Sequence, residues 1–310
     1  MKNNVKKTIK YLLNDYNYDR VRYIKSDLIY VLKKNTLTDK KLISDFYNRF
    51  GYSFDLDSPS TFNEKLLIKR LKKIGNNHHF YADKLSVRKY ISECVGDEYL
   101  IPLIDVIDDS SDIDISKYKS PFIAKAAHAS SLNQIVKDPN SFSNKQFSFL
   151  INKWLKRDYG YYWGEWYYSD IKPKVVLEQL LVEDDGDVPA DYKFHVFYDN
   201  SGGYEIYIQV DLARFKEHKR DFYSVSWEKL DISYEYENSD SLIKKPDNLS
   251  DMIDIVLKIS KPFQYSRIDL YNFKNQIFFG EITFIPEAGR GRFNERTIDE
   301  KWGRLLRIDV

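Results

Sequence analysis

Arg267, Asp269, Glu281 and Thr283 carry the densest potential chemistry in the chain. They lie in QYSRIDLYNFKNQIFFGEITFIPE, from Gln264 to Glu287. Tyr265–Tyr271 alternates Arg267, Asp269 and Tyr271 with Ile268 and Leu270, the period of a half-buried strand. Asn272–Gln276 holds turn-forming asparagines and a lysine. Ile277–Phe284 reads as the returning strand, with Phe279, Glu281 and Thr283 on one face. Pairing that brings Arg267, Asp269, Glu281 and Thr283 to a shared face converges two carboxylates, a guanidinium and a hydroxyl. Two close carboxylates repel and need a neutralising partner, which a divalent cation with oxygen ligands supplies. A solvated face with a simple Arg–Asp pair is the competing reading.

Other reactive residues sit in otherwise apolar strands. Lys125 lies in PFIAKAA, where a lysine must find an anion or snorkel out at the strand end. His128, Ser130 and Ser131 follow it, a small polar loop able to turn backbone N–H groups toward a phosphate. Glu178 lies in KVVLEQLL and needs donors, either a ligand amino group or a lysine of the chain. Asp191 and Lys193 share one face of DYKFHVF, with Tyr192 and Phe194 on the other. Cys94 follows Ile91 at helical spacing and reads as a small core hydrophobe. As the only cysteine, it excludes a disulfide within the chain and any multi-cysteine zinc site.

The elements that must position these groups follow from periodicity. Residues 1–75 read as helical: Val5, Ile9, Leu12 and Leu13, then Val21, Ile24, Leu28 and Val31, recur at spacings of three and four. Another helix runs Leu42–Phe50 and stops at Gly51. Thr61-Phe62-Asn63-Glu64 is a capping box opening a Lys-rich helix to Ile74. Asp83 caps a helix to about Val95. Leu100–Ile107, Pro121–Ala127 and Lys174–Leu181 are apolar strands, with Gln134–Val136 continuing a hairpin. Ser143–Arg157 is helical and Asp158–Tyr168 is an aromatic loop. Asp191–Tyr198 and Glu205–Asp211 form a hairpin around Asn200–Gly203. Arg214–Arg220 is a basic loop, Ser250–Lys261 a helix, and Ile298–Leu306 a short amphipathic helix.

The 48 Lys and Arg residues nearly balance the 47 Asp and Glu, so no global field draws nucleic acid. Aromatic residues make up 16%, enough to place the chain among globular proteins rather than disordered ones. No apolar run reaches the length of a spanning helix, so no transmembrane segment is expected. The basic start MKNNVKKTIKYLLN lacks the apolar stretch of a secretory signal, which points to a cytoplasmic protein. It reads as a solvated helix face, with contact to an anionic membrane as the alternative.

Taken in order, these segments resemble the ATP-grasp superfamily of ligases, which join a carboxylate to an amine through an acyl-phosphate. Within it the chain looks most like the TupA-like group of teichuronopeptide and capsule biosynthesis. FNEKLL at Phe62–Leu67, DKLSVRKYI, KAAHAS, the Trp154-to-Trp166 stretch, DYKFHVF and RIDLY…FFGEITF carry the likeness, over about residues 60 to 305. It implies an α+β fold with two subdomains clamping ATP after a helical N-terminal region. The expected boundaries are 1–75, 76–177 (lysine-bearing strand and phosphate loop) and 178–310 (adenine hinge, metal hairpin and C-terminal helix).

The resemblance also implies roles. Lys84 and Lys125 are the ATP lysines, with Ser130 and Ser131 folding over the phosphates and Lys193 as a third cation. Glu178, Gln179 and Leu181 hold adenine, and Asp191 the ribose. Asp269, Glu281 and Thr283 are ligands of Mg²⁺, two ions being expected. Thr283 departs from the family's usual Asn and is a poorer ligand. Arg267 stabilises the transferring phosphoryl group, while Arg214, His218 and Arg220 match a region that supplies cations to phosphates or substrate. Helices stand where the superfamily's N-terminal α/β domain belongs. The implied partners are ATP, a small amine and a carboxylate on a sugar or sugar nucleotide, such as a hexuronic acid, in surface-polysaccharide biosynthesis. A sugar-nucleotide glycosyltransferase is the rival, with Asp55–Asp57 and Asp185–Asp187 as candidate D-x-D metal motifs.

Overall fold

The computed structural model describes residues 15–111, 113–184, 186–212 and 218–308. Val5, Ile9, Leu12, Leu13, the basic start, Asp185 and Arg214 lie outside them.

Two antiparallel sheets organise the chain. The first has the order β1-β4-β2-β3, from β1 (Leu103–Ile107), β2 (Phe122–Ala126), β3 (Asn133–Val136) and β4 (Val175–Gln179). The second has the order β10-β9-β5-β6-β7-β8. Its strands are β5 (Asp191–Tyr198), β6 (Tyr204–Leu212), β7 (Lys219–Tyr223), β8 (Lys229–Leu230), β9 (Tyr265–Phe273) and β10 (Gln276–Thr283). The boundary expected at 177/178 falls inside β4, and the chain passes to the second sheet between Gln179 and Asp191.

Helices α1 (Asp15–Thr36) and α2 (Asp39–Phe50) precede α3 (Phe62–Leu71). Gly51 stops α2 in the left-handed region at φ 81°, as its sequence predicts. The capping box at Thr61 and Glu64 forms in both directions. After α4 (His79–Ala82), Asp83 accepts the Leu85 N–H and the Ser86 hydroxyl, so α5 (Val87–Cys94) starts later than a cap at Asp83 implies. Cys94 at its end is only partly buried.

α6 (Asn144–Leu155) lies across the first sheet and buries Phe147, Leu150, Ile151 and Trp154. α8 (Leu249–Ser260) packs on β9, and α9 (Arg296–Leu305) inserts Trp302 beside His195 and Phe197. Trp302 thus lies on the face of His195 and Phe197, and the opposite face of Phe194, Val196, Ile268, Leu270 and Ile282 is essentially fully buried.

Four sequence expectations change. Asp158–Tyr168 is ordered as α7 (Gly160–Trp163) and the start of a short 3₁₀ helix, Trp166–Asp170, rather than a loop. Arg220 lies on β7, not in a loop. In α1 the stripe of Ile24, Leu28 and Val31 faces outward, Ile24 being 66% exposed. The packing side is instead Tyr23, Asp27 and Tyr30, which meet Trp154, Arg157 and Tyr162. Finally, β10 bulges at Gly280: Phe279 pairs with Leu270 and Glu281 with Asp269. The extra residue sends Phe279 into the core while Glu281 and Thr283 stay opposite Asp269 and Arg267. A Cβ at Gly280 meets the Asp269 carbonyl oxygen at 3.0 Å, so glycine permits this close approach.

Candidate functional site

The polar face of the second sheet builds the site's floor. Register sets Lys193 opposite Asp269 and Asp191 opposite Tyr271 and Asp211. The Lys193 ammonium donates to Asp191 Oδ2 and Asp269 Oδ2, both at 2.5 Å. Arg267 grips Asp269 bidentately at 2.7 and 2.8 Å, and one of its nitrogens reaches Glu281 at 3.1 Å and the Thr283 hydroxyl at 3.0 Å. Thr283 in turn donates to Glu281 at 3.2 Å. Charges thus alternate along the face, which lets carboxylates lie this close in a buried setting.

Burial pushes the Asp269 carboxyl up to about 6, against the pull of Arg267 and Lys193 and helped by Asp191 and Glu281. Burial opposes the charges on Arg267 and Lys193 as well. Asp269 outweighs it for Arg267, Asp191 and Asp269 do so for Lys193, and both cations titrate above their ordinary values. His195, buried below them between Tyr265 Oη and Gln209 Oε1 at 3.0 Å each, is kept neutral by burial and the neighbouring cations.

The first sheet supplies the roof. Lys125 projects from β2 to Glu178 Oε2 on β4 at 2.8 Å, and Arg88 of α5 takes Oε1 at 3.1 Å. Burial disfavours the Lys125 charge, yet Glu178 outweighs it and raises the ammonium above its usual range. Lys84 donates to the Ala129 carbonyl at 2.7 Å and stands 3.8 Å from Glu281. Burial lowers its titration despite Glu281.

Between roof and floor lies a cleft of about 350 Å³. Lys84, Lys125, Ser130, Ser131, Gln179, Leu181, Asp191, Lys193, Asp269 and Glu281 all line it, with Ile101, Ile123 and Ile135 as apolar walls. Glu178 does not line it, because its carboxylate is turned to Lys125 and Arg88. A second cavity of about 420 Å³ shares Ser130, Ser131, Lys193, His218 and Glu281 with the first. Arg267, Thr283 and Arg220 open into it. Arg220 is held by Asp211 at 2.6 and 3.1 Å and by Glu287 at 2.9 Å. His218 stands 3.4 Å from Asp211. Burial alone would raise the Asp211 carboxyl, but His218, Arg220 and Lys193 hold it far below its usual range.

Several groups at the site were not read from the sequence. Arg88 sits in the DKLSVRKYI run, where an arginine at a helix surface looks solvated. Glu165 lies in the aromatic stretch. It is buried, accepts from Tyr167 Oη at 2.8 Å, and lines the second cavity. Burial pushes it up to about 7, against Tyr167 and Arg70. Arg49 and Arg290 reach the same cavity from α2 and from the loop after β10. Only long-range packing brings them there. Asp55, Asp57 and Asp187 line neither cavity.

A family model described as TupA-like ATPgrasp matches residues 64–307. This chain belongs to the TupA-like ATP-grasp family. Its fold is accordingly the ATP-grasp fold, preceded by helices. No curated protein matches it. Among solved structures, this TupA-like chain is similar to a D-alanine–D-alanine ligase from Helicobacter pylori, at 12% identity over 81% of this chain and 70% of that one, with a TM-score of 0.48. It is similar to a D-alanyl-alanine synthetase A from Vibrio cholerae, at 13% identity over 73% and 59%, with a TM-score of 0.41. It is also similar to a phosphoribosylamine–glycine ligase from Thermotoga maritima, at 12% over 68% and 50%, with a TM-score of 0.40. The TupA-like chain thus spans between half and about seven-tenths of these proteins. Among its described residues no helix is long and apolar enough to cross a membrane.

Proposed function

We propose that this TupA-like chain is an ADP-forming carboxylate–amine ligase that phosphorylates a carboxylate with ATP and passes the acyl group to an amine. The observation that carries this reading is the two-sided cleft: Lys84 and Lys125 face Asp269, Glu281 and Lys193 across it, and it opens into a second, Arg-lined cavity. The first cavity takes the nucleotide and the second the acceptor, so the phosphoryl group crosses near Lys193 and Glu281, which line both.

Gln179–Leu181 form the wall for adenine beside Ile101 and Ile123. Glu178 acts one step removed, holding Lys125 in place. Asp191, which lines the cleft, would hold the ribose. Lys84, Lys125 and Lys193 spread positive charge along the phosphates, because phosphoryl transfer is catalysed mainly by positioning and charge neutralisation. Arg267 points into the acceptor cavity, where negative charge develops on the acyl-phosphate and on the tetrahedral oxyanion. One such donor is worth about 3–4 kcal/mol. Arg220, fixed by Asp211 and Glu287, would bind the carboxylate substrate, and the family resemblance proposes the same role for Arg214.

The donor set also suits Mg²⁺. Among the described residues no three His, Cys, Asp or Glu side chains form a ready cage. Mg²⁺ in nucleotide sites is instead held by one or two carboxylates, phosphates and water. Asp269 and Glu281 would hold it, with Thr283 orienting Glu281 through its hydroxyl. When bound, the ion neutralises charge on the β- and γ-phosphates. Until then Arg267 and Lys193 neutralise the same carboxylates.

The carboxylate is most simply that of a hexuronic acid in cell-surface polysaccharide assembly in the cytoplasm, and the amine an amino acid or amino alcohol. Family membership supports this part. The test is thermal unfolding with Mg-ATP, followed by ADP release over a panel of uronic acids, their nucleotide derivatives and small amines. Mg-ATP at 100 times its dissociation constant adds about 2.7 kcal/mol. Stabilisation by a UDP-sugar with Mn²⁺, and none by Mg-ATP, would overturn the ligase reading in favour of a glycosyltransferase.

A further inference from the structure

The far end of the acceptor cavity carries more positive charge than the ligase chemistry uses. Arg290 and Arg49 line it together with Trp163. Lys33 and Arg70 stand behind Trp163. The Lys33 ammonium lies 3.2 Å from the indole centroid and donates to the Tyr162 carbonyl at 2.8 Å, while Arg70 donates to the Trp163 carbonyl at 2.6 Å. The Arg290 guanidinium rests 4.7 Å from the Trp163 ring centroid. Only Arg49 of these four has a carboxylate in ion-pair reach among the described residues, namely Glu235. Of the other acids that act on these cations, Asp45 already pairs with Lys41 at 2.6 Å, and Glu165, which acts on Arg70, is pushed up to about 7 by burial. Burial lowers Lys33 to about 8, with Arg290 and Arg70 adding to the fall and Asp45 opposing it, and burial lowers Arg290 below its usual value against the pull of Asp45 and Glu235.

The backbone commits to this arrangement. Glu287 (φ 49°), Ala288 (φ 52°) and Gly289 (φ 64°) are successive left-handed residues immediately before Arg290. Two of them are not glycine, a strained conformation that persists where surrounding structure imposes it. A Cβ on Gly289 comes within 2.9 Å of Leu66 Cβ, so α3 clamps the loop from below. Arg49 Nε donates to the Arg290 carbonyl at 2.9 Å, so α2 clamps it from the side. Lys33 and Arg49 precede residue 64, where the family match begins. The N-terminal helices therefore complete this end of the cavity.

We propose that Arg290 and Arg49, backed by Lys33 and Arg70, form a subsite for a phosphate or diphosphate group carried by the acceptor, separate from the phosphates of ATP. The inference rests on the ligase reading for the word acceptor alone. An excess of more than one positive charge suits a dianion better than a single carboxylate, and guanidinium forks match phosphate oxygens. A cavity of about 420 Å³ has room for a sugar unit between this end and Arg267. A sugar nucleotide and a lipid-linked sugar diphosphate share this chemistry.

The experiment fills the nucleotide cleft first. Protein saturated with Mg²⁺ and the non-hydrolysable analogue AMPPNP is titrated calorimetrically with inorganic phosphate. Wild type should bind it saturably. Arg290→Gln should bind roughly tenfold or more weakly, Arg290→Lys should recover part of the loss, and both should keep wild-type AMPPNP affinity and unfolding temperature. Arg49→Gln repeats the test from the other side. Equal phosphate affinity in wild type and Arg290→Gln overturns the proposal, as does the absence of saturable binding in wild type. UDP-glucuronate and farnesyl diphosphate then compete for the bound phosphate. Displacement by the first supports a nucleotide-linked acceptor, displacement by the second a lipid-linked one, and displacement by neither overturns the assignment to an acceptor phosphate. If AMPPNP fails to bind, the ligase reading falls. The subsite is then judged by phosphate titration of the nucleotide-free protein and its Arg290 variants.

Discussion

Lys193 and Asp269 face each other across β5 and β9 with their charged atoms 2.5 Å apart, and Arg267 closes on the same carboxylate from its other side. The three groups are a neutralised unit buried at the bottom of the cleft. Breaking such a unit leaves an uncompensated buried charge, which costs about 3–5 kcal/mol. Lys193→Met should therefore lower stability by an amount of this order, while Lys193→Met combined with Asp269→Asn should recover part of it. Chemical denaturation of the three variants checks the coupling, and strict additivity would show that the pair is not a unit.

Glu281 differs from Asp269 in being partly exposed and in lining both cavities. Glu281→Gln should leave unfolding within about 0.5 kcal/mol of wild type, as expected of a substitution outside the core. It should abolish ADP formation, as should Asp269→Asn. Unimpaired turnover in both variants would remove these carboxylates from the phosphate-binding machinery.

Lys125→Met leaves Glu178 with Arg88 as its remaining partner. The protein should stay folded and bind ATP at least tenfold more weakly, since one charge-assisted contact is worth about 1.5–3 kcal/mol. Normal nucleotide affinity in calorimetry would make this lysine structural. Arg88→Gln provides the contrast: it should weaken nucleotide binding less, because Lys125 still holds Glu178.

Asp211 holds Arg220, and Arg220 is the best-buried cation of the acceptor cavity. Asp211→Asn should destabilise by about 3–5 kcal/mol. Because the folded carboxyl titrates far below its unfolded value, its contribution is complete above the unfolded pKa and fades as pH falls toward the folded one. The gap in unfolding temperature between wild type and variant should thus be constant from neutral to mildly acid solution and shrink only in strong acid.

Glu165 shows the opposite sign. Its carboxyl is raised by burial from 4.5 to about 7, so protonation favours the fold at low pH and this contribution is lost as pH rises through about 7. Glu165→Gln should gain stability relative to wild type between those values, by roughly 3 kcal/mol at most. A pH-independent difference in unfolding free energy would show that Glu165 is already ionised throughout.

Much of the site was legible because its parts are local. Strand alternation placed Asp191 with Lys193, and Arg267 with Asp269, on single faces. The Thr61 capping box and the Gly51 stop are made by residues within a few positions of each other, and both formed as read. The order of the segments pointed to the ATP-grasp family, which the match over residues 64–307 shows. The alternation in β10 misled at Phe279 because a one-residue bulge reverses every side chain beyond it, and Gly280 was the only local sign. In α1 the apolar stripe predicted the helix but not its packing side, since Arg157 and Trp154, more than a hundred residues away, draw Tyr23 and Asp27 inward.

The sequence by itself determined which strands carry the charges, which face each charge takes, and the family. Periodicity of two, a property of neighbouring residues, fixes the strands and faces, and the order of the segments carries the family likeness. Only the tertiary structure decided who neutralises whom. It turned Glu178 toward Lys125 and Arg88, joined Lys193 to Asp269 across two strands, and brought Arg49 and Lys33 from the first helices to Arg290 and Trp163. Such pairings depend on burial, which sets the cost of every unpaired charge, and burial is known only once distant segments have packed.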